Sequence, residues 1–135
     1  MKKTIRNFLV TGLLVITSIA YGQTNSTTPF VSNVLPPIPT ALTQTSGVNV
    51  SIIDGKMNGQ TAYSLMFENT GNKTVTFTWT LKDRNGNVVG TPQQMTMLPG
   101  SLIDYSSRSQ YTGTLTFVPA SGANLSDYKV SITIN

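Results

Sequence analysis

The chain has 135 residues, 10% of them charged, and contains neither cysteine nor histidine. That composition excludes a disulfide scaffold, a lipidated cysteine anchor, thiolate or imidazole catalysis and the usual Cys/His transition-metal sites. The formal charge of +4 includes Lys2, Lys3 and Arg6; without them six basic residues face five acidic ones, too scattered to track a phosphate backbone, so no nucleic-acid partner is expected.

The first segment reads as an export signal of bacterial type. Met1-Lys2-Lys3-Thr4-Ile5-Arg6 is a basic start, and residues 8–20 form an apolar run too short to cross a bilayer comfortably. Ala20 and Gly22 then stand at positions −3 and −1 of a cleavage site before Gln23. Residues 1–22 are expected to be removed, leaving no membrane span and an exported chain, periplasmic or extracellular, that begins at Gln23. Residues 23–46 are rich in Thr, Ser and Pro. Proline fixes φ and removes a backbone donor, so an extended linker is expected there, with Val34, Leu35 and Ile38 able to lie against the domain as an edge. Residues 47–135 suffice for one core and not two.

Within that domain the apolar residues recur with a period of two. Val48, Val50 and Ile52 alternate, and Asp54-Gly55 and Asn58-Gly59 are turn signals. Tyr63, Leu65 and Phe67 share the inward face of a strand over 61–68, with Met66 on the other. Residues 74–81 read Thr-Val-Thr-Phe-Thr-Trp-Thr-Leu, placing Val75, Phe77, Trp79 and Leu81 on one face and four threonines on the other. A helix would scatter that pattern around its circumference, so this is expected to be a central strand. Asn85-Gly86 predicts a type I′ hairpin turn into a strand opened by Val88 and Val89 and interrupted at Gly90-Thr91-Pro92. Met95 and Met97 share a face, Pro99-Gly100 turns the chain, and Leu102, Ile103 and Tyr105 mark a short strand. Tyr111, Leu115 and Phe117 mark another, and Tyr128, Val130, Ile132 and Ile134 alternate to the end. About seven short strands with regular turn signals predict an all-β, antiparallel β-sandwich of immunoglobulin type.

The stretch from Tyr63 to Tyr105 carries a resemblance. Its pieces are Phe67-Glu68-Asn69-Thr70-Gly71-Asn72-Lys73-Thr74-Val75, Trp79-Thr80-Leu81-Lys82-Asp83, Asn85-Gly86-Asn87-Val88-Val89-Gly90 and Leu98-Pro99-Gly100. Together they resemble secreted bacterial immunoglobulin-like domains of FxLYD type, and the Asn-Thr-Gly-Asn loop is similar to that of CARDB-type adhesion modules. Trp79 stands where that pattern has phenylalanine, Lys82 where it has tyrosine, and the Leu-Pro-Gly turn is one residue short. The matched residues are packing and turn residues. The resemblance therefore implies a fold and carries over no catalytic site.

The five acids, Asp54, Glu68, Asp83, Asp104 and Asp127, fall in or beside different predicted loops. Asp83-Arg84-Asn85-Gly86-Asn87 has the start of a calcium loop, but its glycine is at the fourth position rather than the sixth, and a hairpin accounts for it without an ion. No cofactor or metal is implied. Among the aromatics only Tyr105, Tyr111 and Tyr128 are free of the predicted core pattern, and a core place suits tyrosine better than a sugar platform. The expected function is a secreted, non-catalytic module for binding or surface structure, meeting a protein or glycan partner at the cell envelope. Its candidate contacts are the loop of Asn69, Thr70, Gly71, Asn72 and Lys73, the hairpin of Asp83, Arg84, Asn85, Gly86 and Asn87, and an uncharged strand over 112–118 if that lies at an edge. The rival expectation is a small secreted hydrolase or glycan-active protein using loop carboxylates such as Asp83 and Asp104.

Overall fold

The computed structural model describes residues 29–135, so the export segment with Ala20, Gly22 and Gln23 lies outside the described residues. Nine strands follow: β1 (Val31–Ser32), β2 (Thr40–Thr45), β3 (Val48–Met57), β4 (Gln60–Asn69), β5 (Val75–Lys82), β6 (Val88–Met97), β7 (Leu102–Ile103), β8 (Thr116–Phe117) and β9 (Lys129–Ile134). Single 3-10 turns at Thr112–Thr114 and Leu125–Asp127 are the helical content among the described residues.

Every ladder among the described residues is antiparallel. In the larger sheet β3 pairs with β4, β1 and β2 share the outer edge of β3, and β7 and β8 share the outer edge of β4. The smaller sheet is β9-β5-β6, with β5 in the middle. In immunoglobulin lettering β3, β4 and β7/β8 take the A, B and E places, and β6, β5 and β9 take C′, C and F. The chain is an immunoglobulin-like β-sandwich.

The period-two residues build its core. Phe77, Trp79 and Leu81 from β5 meet Val48, Val50 and Ile52 from β3, Tyr63, Leu65 and Phe67 from β4, and Met95 and Met97 from β6, all buried. The Phe67 ring lies 5.3 Å from that of Trp79 and 5.9 Å from that of Phe77, which locks the two sheets face to face. Trp79 contributes apolar area alone, since its Nε1–H is buried without an acceptor among the described residues. At the start of β9, buried Tyr128 accepts a hydrogen bond at its hydroxyl from the Ala120 N–H (3.0 Å). A tyrosine bonded back to upstream backbone at this corner is a hallmark of immunoglobulin sandwiches. Its ring stacks edge-on against Tyr63 and Phe117.

Four details differ from the sequence reading, each for a physical reason. The sandwich begins before Gly47, because β1 and β2 pair with β3 inside the segment read as a linker. Phe30, only 7% exposed, covers the outer face of the larger sheet together with Ile53 and Ala62. Val34, Leu35 and Ile38 instead stand clear of the domain, at 49%, 77% and 74% exposure. Second, Asp54-Gly55 is no turn: β3 runs through it, and Gly55 is needed because a Cβ there would sit 2.2 Å from the Val31 carbonyl oxygen and 2.4 Å from Phe30. The turn is Asn58-Gly59 alone, with φ of 56° and 75°.

Third, Asn85 is not left-handed. The Asp83 N–H donates to the Asn87 carbonyl around a three-residue loop in which only Gly86, at φ 82°, has positive φ. Last, residues 112–118 are not one edge strand. Thr112–Thr114 is a 3-10 turn stabilised by Thr114 Oγ1–H donating to the Tyr111 carbonyl, and only Thr116–Phe117 pairs, with β4.

Candidate functional site

The sequence pointed to two loops, and the structure holds them apart. The 69–73 loop leads into β5 and the 83–87 hairpin leaves it. Eight residues of strand, roughly 25 Å at the usual rise, lie between them. They are two surfaces, at opposite ends of the sandwich.

The 69–73 end is organised by Asn69, which is fully buried. Its Nδ2 donates to the Lys73 carbonyl (2.8 Å) and the Met97 carbonyl (3.1 Å), and its Oδ1 accepts from the Gly71 N–H (3.0 Å). Its backbone is used as well: the N–H donates to the Ser101 carbonyl and the carbonyl accepts from the Gly100 N–H. Thr70 ties in the neighbouring turn, its N–H and its hydroxyl both donating to the Gly47 carbonyl. One asparagine and one threonine thus fasten three chain reversals: Ser46-Gly47, residues 69–74, and residues 98–101. Beside them runs a groove of about 310 Å³ lined by Ser46, Asn72, Lys73, Thr74, Val75 and Ile134, among others. Lys73 is the charged side chain in this lining. The exposed residues Thr70, Asn72 and Lys73 form the tip.

At the other end the Asp83 carboxylate is occupied. Its Oδ1 accepts from the Asn85 N–H (2.9 Å) and the Asn87 N–H (3.0 Å), leaving Arg84, Asn85 and Gly86 as the exposed tip. Arg84 reaches Asp127 at 3.6 Å, a partly exposed pair that adds little stability and steadies the hairpin against the 3-10 turn before β9.

Two further carboxylates are spent the same way. Asp104 Oδ1 accepts from the Ser106 N–H and hydroxyl and from the Ser107 hydroxyl. Asp127 Oδ2 accepts from the Asn124 N–H, closing a capping box. Glu68 lines a shallow groove with Gln44 and Met66, and Asp54 sits opposite Tyr63 in the ladder. Asp83 and Asp104, the pair named for hydrolysis, therefore each hold a separate turn. Burial raises the Tyr63 hydroxyl above its ordinary pKa, and the charges of Asp54, Tyr128 and Asp127 add to this. Among the described residues no group of three or more acids, cysteines or histidines is placed to hold a metal.

The tyrosines resolve differently from one another. Tyr128 is core, the Tyr111 hydroxyl accepts from the Thr96 N–H, and the Tyr105 ring lies 4.8 Å from Phe30. Two surface features were missed in the sequence. One is the exposure of Val34, Leu35 and Ile38, which the sequence reading allowed to lie against the domain. The other is the Asn69 anchor, which reads as one more loop asparagine until its three partners are seen.

No family model, no curated protein and no solved structure matches the chain.

Proposed function

We propose that the chain is an exported, non-catalytic immunoglobulin-like module that binds a protein or glycan at the cell envelope through the 69–73 end of the sandwich. The observation that carries this reading is the Asn69 anchor: a buried side chain with every hydrogen-bonding group engaged holds the exposed Thr70, Asn72 and Lys73 in a preformed arrangement. Preorganisation lowers the entropic cost of binding, and loops on a rigid sandwich are where such folds place recognition. The signal-like residues 1–22 support export, and the resemblance to FxLYD-type and CARDB-type domains supports an extracellular or periplasmic module. The engagement of Asp83, Asp104 and Asp127 in turns supports the non-catalytic reading.

The test uses the chain isolated from its host's envelope or medium, its amino terminus expected at Gln23, as bait for envelope components. Asn72→Ala with Lys73→Ala should reduce recovery of the specific partner severalfold while leaving Trp79 emission unchanged. Equal recovery by wild type and variant would remove this loop as the contact surface.

A further inference from the structure

Among the described residues, one buried polar side-chain atom has no partner. It is the Nε1–H of Trp79, a residue only 4% exposed. An enclosed donor left unpaired destabilises a fold unless something outside the chain supplies the acceptor. Polar side chains close by are turned elsewhere. Gln93, which faces Trp79 across the ladder, donates its Nε2 to the Thr91 carbonyl (3.1 Å), and Thr114 donates its hydroxyl to the Tyr111 carbonyl (2.7 Å).

The same indole walls a cleft. Between β6 and β8 the two sheets leave a space of about 240 Å³. Buried Leu65, Trp79 and Leu81 line it, with the less buried Val89, Gly113 and Phe117 around them. Two features of the chain keep it open. β6 passes from the Trp79–Gln93 pair to the Leu81–Val89 pair, so Gly90, Thr91 and Pro92 stand against Thr80 alone. A bulge of this kind bends the strand and interrupts its ladder. Gly113 lies in the 3-10 turn with φ outside the left-handed region, and a Cβ there would meet no atom within 4 Å. Neither backbone nor packing demands glycine at that place, and a side chain on it would narrow the cleft.

We infer that this cleft binds a small uncharged molecule, apolar apart from one acceptor oxygen that takes the Trp79 N–H. The volume suits a compact ring or a short chain. No charged residue lines the space, so an ion would lose its hydration there with nothing to pair it. The oxygen answers the orphaned donor. Enclosed away from bulk water, the indole N–H needs an acceptor seated in the cleft that its own ring walls. The lining shares no residue with the groove beside the 69–73 loop, so this site is additional to the loop reading and independent of it.

Trp79 is the only tryptophan, so the chain gives a single indole N–H proton resonance. The chain as isolated from its host is titrated with cyclohexanone and, separately, with methylenecyclohexane, which has the same shape with a methylene group in place of the oxygen. Cyclohexanone should move the indole proton downfield along a saturating curve and slow its exchange with water. Methylenecyclohexane should bind roughly fivefold more weakly and give no downfield shift. Gly113→Leu should weaken cyclohexanone binding severalfold and leave the melting temperature unchanged. A resonance that cyclohexanone leaves unmoved, as when water alone holds the N–H, would overturn the inference. Equal binding of the two probes, or a Gly113→Leu chain that binds like the wild type, would overturn it too. Should Gly113→Leu fail to fold, nuclear Overhauser contacts from cyclohexanone to the Leu65 and Val89 methyls of the wild type decide. Their presence supports the site, and their absence overturns it.

Discussion

Asn69→Ala tests whether one side chain holds the loop end together. The substitution removes three hydrogen bonds from a fully buried site and leaves the Lys73 and Met97 carbonyls and the Gly71 N–H without their partner. At about 1 kcal/mol for each bond the loss is about 3 kcal/mol, a large share of the ~5–15 kcal/mol that stabilises a domain. Urea unfolding followed by Trp79, the only tryptophan, reads it directly. The midpoint should fall by roughly 1–3 M. Asn72→Ala, on the exposed tip of the same loop, should change stability by less than about 0.5 kcal/mol.

Asn69→Asp sharpens the test, because it keeps the shape and reverses the donor. A carboxylate there faces two carbonyl oxygens in a buried site, so its folded pKa would lie above the ordinary ~3.9. The folded state then binds its proton more tightly than the unfolded state. Destabilisation should be greatest above that raised pKa and diminish as pH falls towards ~4. A midpoint shift below about 0.3 M for Asn69→Ala would refute the reasoning, as would a pH-independent Asn69→Asp.

Gly55→Ala should cost about 1–3 kcal/mol, since its Cβ would overlap the Val31 carbonyl and the Phe30 ring and displace β1. Thermal unfolding gives the loss, and faster proteolysis within residues 30–39 would show where it acts. Tyr63 sets an alkaline limit: its folded pKa is raised, so its contribution is fully present below the unfolded value near 10 and is lost as pH rises beyond it. Melting temperatures between pH 8 and 11 should fall above pH ~10, and Tyr63→Phe should flatten that fall.

The fold was legible wherever a residue's environment is set by its neighbours in sequence. β5 alternates strictly because one face packs on Phe67 and the other meets solvent, and that alternation is written locally. The outer strands were not legible, because their partners are distant. Phe30 finds its place against Gly55, twenty-five positions away, and nothing around either residue announces the other. Proline still guided the reading correctly in one respect: Pro36, Pro37 and Pro39 lie outside any strand, and β2 starts immediately after them. The Ser46-Gly47 pair was an available signal. Its φ values of 49° and 85° make it a two-residue hairpin turn, and Ser-Gly between β-branched runs is a recognised marker of one.

The candidate site divides along the same line. That residues 69–73 and 83–87 are loops followed from Asn, Gly and Asp, which tolerate tight turns. What those side chains do inside the loops did not follow, because asparagine reads alike whether exposed or buried. Asn69 and Asn72 are both loop asparagines near glycine, yet one is sealed in the core and the other is at the tip. The difference lies in the Met97 carbonyl, brought over by β6 from 28 residues away. The acids repeat the lesson. Asp83, Asp104 and Asp127 each have a backbone N–H two to four residues away as their partner, so the folded turn consumes a carboxylate that sequence alone leaves available for chemistry. Turns fixed in this way leave Thr70, Asn72 and Lys73 at one end, and Arg84, Asn85 and Gly86 at the other, as the surface that the loops present.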